Sequence, residues 1–143
     1  MRGGIGVEVP LTVVGKQVDE VCALGEPKRF QGMILVATTH PRDFDISTFQ
    51  GEAVKVYGTE DRVAPPAKSD ANKNLLPAKT KWVRIEGGNH ARFGSYGVKP
   101  GDGPAKISEE KQRRETTEAI AETLQRALTI SAAASGEVIV SVA

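Results

Sequence analysis

The sequence predicts an α/β fold, built on a mostly parallel sheet of about four strands with flanking helices. Three observations carry that expectation. Short apolar runs recur with little polar alternation, as in strands covered on both faces; Gly, Pro and Asp clusters punctuate the gaps; and one long stretch near the C-terminus has helical periodicity. With 143 residues, 39% of them apolar, the chain can build the modest core of a single domain.

Taken in order, the apolar runs place strands at Leu11 to Val14, Met33 to Ala37, Ala53 to Tyr57 and Lys81 to Ile85. Between the first two, Gln17 to Leu24 has room for about two helical turns, ended by Gly25 and Pro27. Between the third and fourth, Pro65 and Pro66 open a helix over Ala67 to Leu75, and Pro77 closes it. The clearest helix is Ser108 to Leu128. Ser108 can cap it, Glu109 and Glu110 suit the positive end of its dipole, and Thr117, Ile120, Ala121, Leu124 and Leu128 form a stripe to pack on the sheet.

Glu86 to Ile107 holds six glycines and two prolines in 22 residues, a longer irregular segment than a compact domain carries without reason, so it is a functional candidate. The domain is expected over 1–130, with 131–143 a flexible tail. In that tail Ser131 to Ser135 reads as loose Ala/Ser chain and Val138 to Val142 as a β-prone segment with no assigned destination.

Charge and cysteine usage exclude several classes of function. Nineteen basic against eighteen acidic residues leave a net charge of +1, so no sequence-wide field exists to hold a phosphate backbone, and nucleic acid is not an expected partner. The single cysteine, Cys22, excludes an intramolecular disulfide framework and a multi-thiolate zinc site. Met1 to Glu8 lacks the apolar run of a secretory signal and the Arg and Ser richness of a transit peptide. The longest purely apolar run, Met33 to Ala37, falls far short of the roughly 20 residues of a membrane span. A reducing, cytoplasmic setting is the expectation.

Two residues stand where open α/β sheets put their ligands, just past the C-terminal ends of strands. Asp61 follows the third strand, and His90 follows the fourth. A histidine suits general acid/base work, and a neighbouring carboxylate can fix its tautomer. Each also has a plainer reading. Asp61 fits a surface turn beside Gly58, and His90 fits an exposed loop beside Gly87 and Gly88. His40 reads as a loop histidine, Cys22 as a buried structural thiol, and Asp102, between Gly101 and Gly103, as a turn aspartate. Gly3-Gly4-Ile5-Gly6 does not match a dinucleotide fingerprint. His40, His90 and the carboxylates offer no ligand pair at helical spacing, so neither a metal nor an organic cofactor is implied.

Gly32 to Ala127 resembles the C-terminal half of an alpha/beta-hydrolase, in particular the fold-5 group of that superfamily. The marks are Val56-Tyr57-Gly58-Thr59-Glu60-Asp61, Leu75-Leu76-Pro77, Ile85-Glu86-Gly87-Gly88-Asn89-His90-Ala91-Arg92-Phe93-Gly94-Ser95-Tyr96-Gly97, Gly101-Asp102-Gly103 and Ile107-Ser108. The resemblance implies a partial alpha/beta-hydrolase fold. It also implies that Asp61 is the acid and His90 the base of a nucleophile-His-Asp triad for acyl, ester-type hydrolysis.

The sequence departs from that pattern upstream. The family places a Gly-x-Ser-x-Gly elbow between a strand and a helix, and no such motif occurs; the first serine, Ser47, already lies beyond the second strand. Aligning Leu11 to Val14 with the nucleophile strand puts Gln17 at the nucleophile position, and an amide cannot attack a carbonyl. Cys22 as a substitute has Glu20 and Leu24 where the elbow needs small residues. The expectation is a truncated hydrolase domain, inactive alone, that takes a small ester-like substrate if an N-terminal half completes it. The alternative is a non-catalytic binding or interaction module on the retained scaffold. Loss of the N-terminal strands is expected to leave an exposed sheet edge through which copies self-associate. Phe44, Phe49, Phe93 and Tyr96 imply an apolar, aromatic pocket lining and nothing narrower.

Overall fold

Met33, Ile34, Leu35 and Val36 are each 1% exposed or less, which explains why their run lacks polar alternation: both faces of the strand are covered. The computed structural model describes residues 11–13, 30–39, 41–94, 97–130 and 137–142. Its strands are β1 (Leu11–Val13), β2 (Phe30–Val36), β3 (Glu52–Gly58), β4 (Lys81–Ile85) and β5 (Glu137–Val142). They form one sheet in the order β1-β5-β2-β3-β4, with every neighbouring pair parallel. Helix α1 spans Pro66–Ala71 and α2 spans Glu109–Ile130, with single 3-10 turns at Lys73–Leu75 and Ala91–Phe93. The α/β class and the parallel sheet expected from the sequence are thus found, and four strands lie where the apolar runs put them.

Three expectations need correction. The segment without a destination is β5, which pairs with β1 on one side and β2 on the other, so Glu137–Val142 is part of the sheet and not of a flexible tail. Val138 and Ser141 are 1% and 0% exposed. Consequently β2 has a neighbour on each side, and the edges of the described sheet are β1 and β4.

The second correction concerns the face that α2 turns to the sheet. Ser108 does cap the helix, its hydroxyl accepting the Lys111 N–H at 3.1 Å. The buried residues, however, are Gln112, Thr116, Ala119, Thr123 and Ala127, with Ile120 and Leu124 half-buried beside them, whereas Thr117 and Ala121 are exposed. Thr116 and Thr123 tolerate burial because their hydroxyls donate to the carbonyls of Gln112 and Ala119, at 2.7 and 2.9 Å. Small residues on this stripe let the helix approach closely; a Cβ on Gly32 would lie 3.2 Å from that of Ala127.

Third, the helix expected over Ala67 to Leu75 is divided into α1 and the following 3-10 turn at Asn72. The helix expected over Gln17 to Leu24 lies outside the described residues.

Core packing is two-sided. Against α2, the sheet presents Ile34, Val36, Val54, Val56, Ile85 and Val138. On the other face Phe30, Met33, Leu35 and Ala53 pack with Ile46, Phe49 and Leu76 from the connecting segments, and Trp82 closes over them. Lys55 shares that second face and is only 1% exposed; its ammonium donates to the Thr38 carbonyl, which gives the buried charge a polar partner. No helix among the described residues is long and apolar enough to cross a membrane.

Candidate active site

The C-terminal ends of β3 and β4 lie side by side, since Gly58 registers with Ile85. Parallel pairing therefore launches the loops carrying Asp61 and His90 from one rim of the sheet. Backbone bonds then hold the loops together. Thr59 N donates to the Ile85 carbonyl at 3.2 Å, Glu60 N to the Gly88 carbonyl at 2.8 Å, and Gly87 N to the Thr59 hydroxyl at 2.8 Å. Such closeness requires glycine at Gly58, where a Cβ would sit 2.4 Å from the Gly88 oxygen.

His90 Nδ1 lies 2.9 Å from Asp61 Oδ2, with the two side chains 2% and 0% exposed. A carboxylate only accepts, so Nδ1–H donates to it, and in the neutral ring the lone pair is then on Nε2. The other carboxylate oxygen, Oδ1, accepts the backbone N–H groups of Val63 and Ala64 at 2.9 and 2.7 Å. This local turn fixes the Asp61 side chain independently of the histidine, so the carboxylate is pre-oriented rather than drawn toward the ring. Neither plainer reading describes these residues: Asp61 is not a surface turn and His90 is not exposed.

Sequence reasoning missed a third carboxylate. Asp102, read as a turn aspartate, accepts the backbone N–H of His90 at 3.2 Å and of Ala91 at 2.9 Å. It also accepts Gly103 N at 2.9 Å and Arg62 N at 3.4 Å. Burial raises its pKa, but the N–H donors of Ala91, His90, Arg62 and Gly103 outweigh that and hold it below the ordinary 3.8. The available signals were its place in the Gly- and Pro-rich segment after His90 and in Gly101-Asp102-Gly103, one of the motifs that carry the family resemblance.

A further group of bonds anchors the histidine loop to α2. Gln112, fully buried, accepts Asn89 N at 3.2 Å through Oε1 and donates Nε2–H to the Asn89 carbonyl at 2.8 Å. The Asn89 side chain donates to the Gly103 carbonyl at 2.9 Å, and Arg92 donates to the Ile107 carbonyl at 2.5 Å. An open cleft of about 600 Å³ adjoins this loop, lined by Asn89, Ala91, Arg92, Asp102, Gly103 and Glu109, among others.

The structure therefore brings together Asp61 and His90 and leaves Nε2 without a hydrogen-bond partner among the described residues. Gln17, Cys22 and His40 lie outside the described residues. Of the aromatic lining expected from the sequence, Phe49 belongs to the core on the far face of the sheet and Phe93 packs against the α2 side. Phe44 is 40% exposed, and Tyr96 lies outside the described residues.

The model of a family described as the alpha/beta hydrolase family matches residues 13–114, a span that includes β2 to β4, Asp61, His90 and Asp102. No curated protein and no solved structure matches the chain.

Proposed function

Since the chain belongs to the alpha/beta hydrolase family, we propose that Asp61 and His90 are the acid and base of its acyl-hydrolysis chemistry. The nucleophile is missing from the sequence as given. The observation that carries this reading is the buried 2.9 Å contact between His90 Nδ1 and Asp61 Oδ2 on the rim where the strands end.

In such a pair His90 Nε2 takes the proton of an attacking hydroxyl or thiol as it adds to an ester carbonyl. The imidazolium so formed is stabilised by Asp61 across the Nδ1–H bond, and the proton is then returned to the leaving alkoxide. Asp61 also keeps the lone pair on Nε2, since a donor in its place would favour the opposite tautomer. No Gly-x-Ser-x-Gly elbow supplies the attacking group. Among the described residues no hydroxyl bonds to His90: the Ser108 hydroxyl caps α2, and the Ser69 hydroxyl faces the Thr38 carbonyl at 3.5 Å. Among the described residues the pair is thus a base without a nucleophile, and the chain is expected not to hydrolyse esters by itself.

Labelling with a fluorophosphonate, which reacts with serines activated by a histidine, tests this reading. No labelling that depends on His90 is expected. A serine labelled in the unmodified chain and unlabelled in His90→Ala would place the nucleophile inside this sequence and overturn the proposal.

A further inference from the structure

Aspartates in turns usually bond to the backbone one or two residues on. Asp45 does so: its carboxylate accepts the Ser47 N–H at 2.9 Å and nothing more distant. Asp102 is different. One of its bonds, to Gly103 N, is local, while the other three reach N–H groups 11, 12 and 40 positions away. Two of those belong to His90 and Ala91, and the third to Arg62, the residue after Asp61.

Asp102 therefore ties the backbone on either side of the proposed base to the backbone beside the proposed acid. Its hydrogen bonds go to backbone N–H groups and to neither side chain of the pair. Its own loop is seated independently, because Gly103 packs against Glu60 and accepts a hydrogen bond from the Asn89 side chain at 2.9 Å. Charge-assisted bonds to backbone N–H groups are stronger than neutral ones, so this carboxylate is a firm clamp on the loop.

We propose that Asp102 is a positioning residue for His90, holding the His90 and Ala91 backbone against the Asp61 loop so that the imidazole stays on the Asp61 carboxylate. The proposal rests on the reading of Asp61 and His90 as acid and base. An imidazole displaced by about 1 Å from the productive geometry loses roughly a hundredfold in rate, so a backbone clamp of this kind matters to the chemistry without contacting the reacting atoms.

The test reads the His90 ring directly by NMR and needs no enzymatic activity. Only two histidines are present, so a His40→Gln background leaves a single imidazole to observe. In that background the Nδ1–H proton is expected as a far-downfield signal protected from exchange with water. Asp61→Asn is expected to abolish it. Asp102→Asn, which puts an amide N–H₂ where backbone donors converge, is expected to accelerate its exchange by at least about tenfold while the amide spectrum remains that of a folded protein. Asp45→Asn, a turn aspartate away from the site, is expected to change nothing.

An unchanged exchange rate in a folded Asp102→Asn overturns the positioning role and leaves the acid-base reading intact. An unchanged signal in Asp61→Asn overturns the acid-base reading itself. Should Asp102→Asn fail to fold, the unmodified chain decides. An Ala91 amide proton protected at least about tenfold relative to a free peptide upholds the clamp, and one exchanging at the free-peptide rate overturns it.

Discussion

Gly103 packs so closely on Glu60 that a Cβ at position 103 would lie 2.2 Å from the Glu60 carbonyl oxygen. Backbone thus meets backbone between the loop holding Asp102 and the loop holding Asp61. A second such contact, between Gly58 and the Gly88 carbonyl, joins the Asp61 and His90 loops. These two approaches set the loops that carry the Asp61–His90 pair against one another.

Substituting either glycine tests these approaches. Gly58→Ala and Gly103→Ala are expected to destabilise the chain by about 1–3 kcal/mol or more, because carbonyl backbone cannot step aside as a flexible side chain can. Gly32→Ala is expected to cost less, since its nearest neighbour is the Ala127 methyl at 3.2 Å. Urea denaturation of the three variants gives the comparison, and equal losses would contradict this account of the loops.

Acid should reveal Asp102. Its carboxyl is held below the ordinary 3.8, with burial raising it and the surrounding N–H groups prevailing. A carboxyl depressed in the folded state binds fewer protons folded than unfolded. Its contribution to stability is therefore present above the unfolded value and is lost as the pH falls through the folded value. The stability difference between the parent and Asp102→Asn is expected to be constant above about pH 5 and to narrow below 3.8. A gap unchanged down to strongly acidic pH would show that Asp102 titrates alike in both states.

The C-terminal strand offers a third prediction. Since β5 pairs with both β1 and β2 and buries Val138, a chain ending at residue 136 is expected to unfold at lower urea concentration. It should also self-associate, because the β2 edge and its apolar face become accessible. Size-exclusion chromatography checks the second effect; a monomer as stable as the parent would contradict the placement of β5.

These residues also show what was legible in the sequence. A strand buried on both faces reads as an unbroken apolar run, so Met33 to Val36 is legible directly, whereas Lys81 to Ile85, an edge strand with Lys81 and Arg84 exposed, is legible only from Trp82, Val83 and Ile85. Asp61 and His90 were found because each follows such a run and because the surrounding motifs resemble a known family. Asp102 was not, since its role lies in backbone N–H groups that only the tertiary approach of three loops delivers. The partner of Lys55 is not legible for a similar reason: only the fold brings the Thr38 carbonyl within reach of its ammonium. On α2 the expected stripe shares Ile120 and Leu124 with the buried face, but Thr117 and Ala121 are exposed, and Thr116 and Thr123 are buried through bonds to their own helix. The destination of β5 is a matter of long-range pairing, on which local periodicity is silent.

Ester turnover tests the central claim most directly. Purified protein and its His90→Ala variant would be compared on an activated ester such as p-nitrophenyl acetate. Hydrolysis by both at the same low rate, that of surface side chains and solvent, is the result expected of an acid-base pair without a nucleophile. Catalytic turnover by the parent that is lost in His90→Ala would contradict the account and show that this chain holds a complete hydrolytic site.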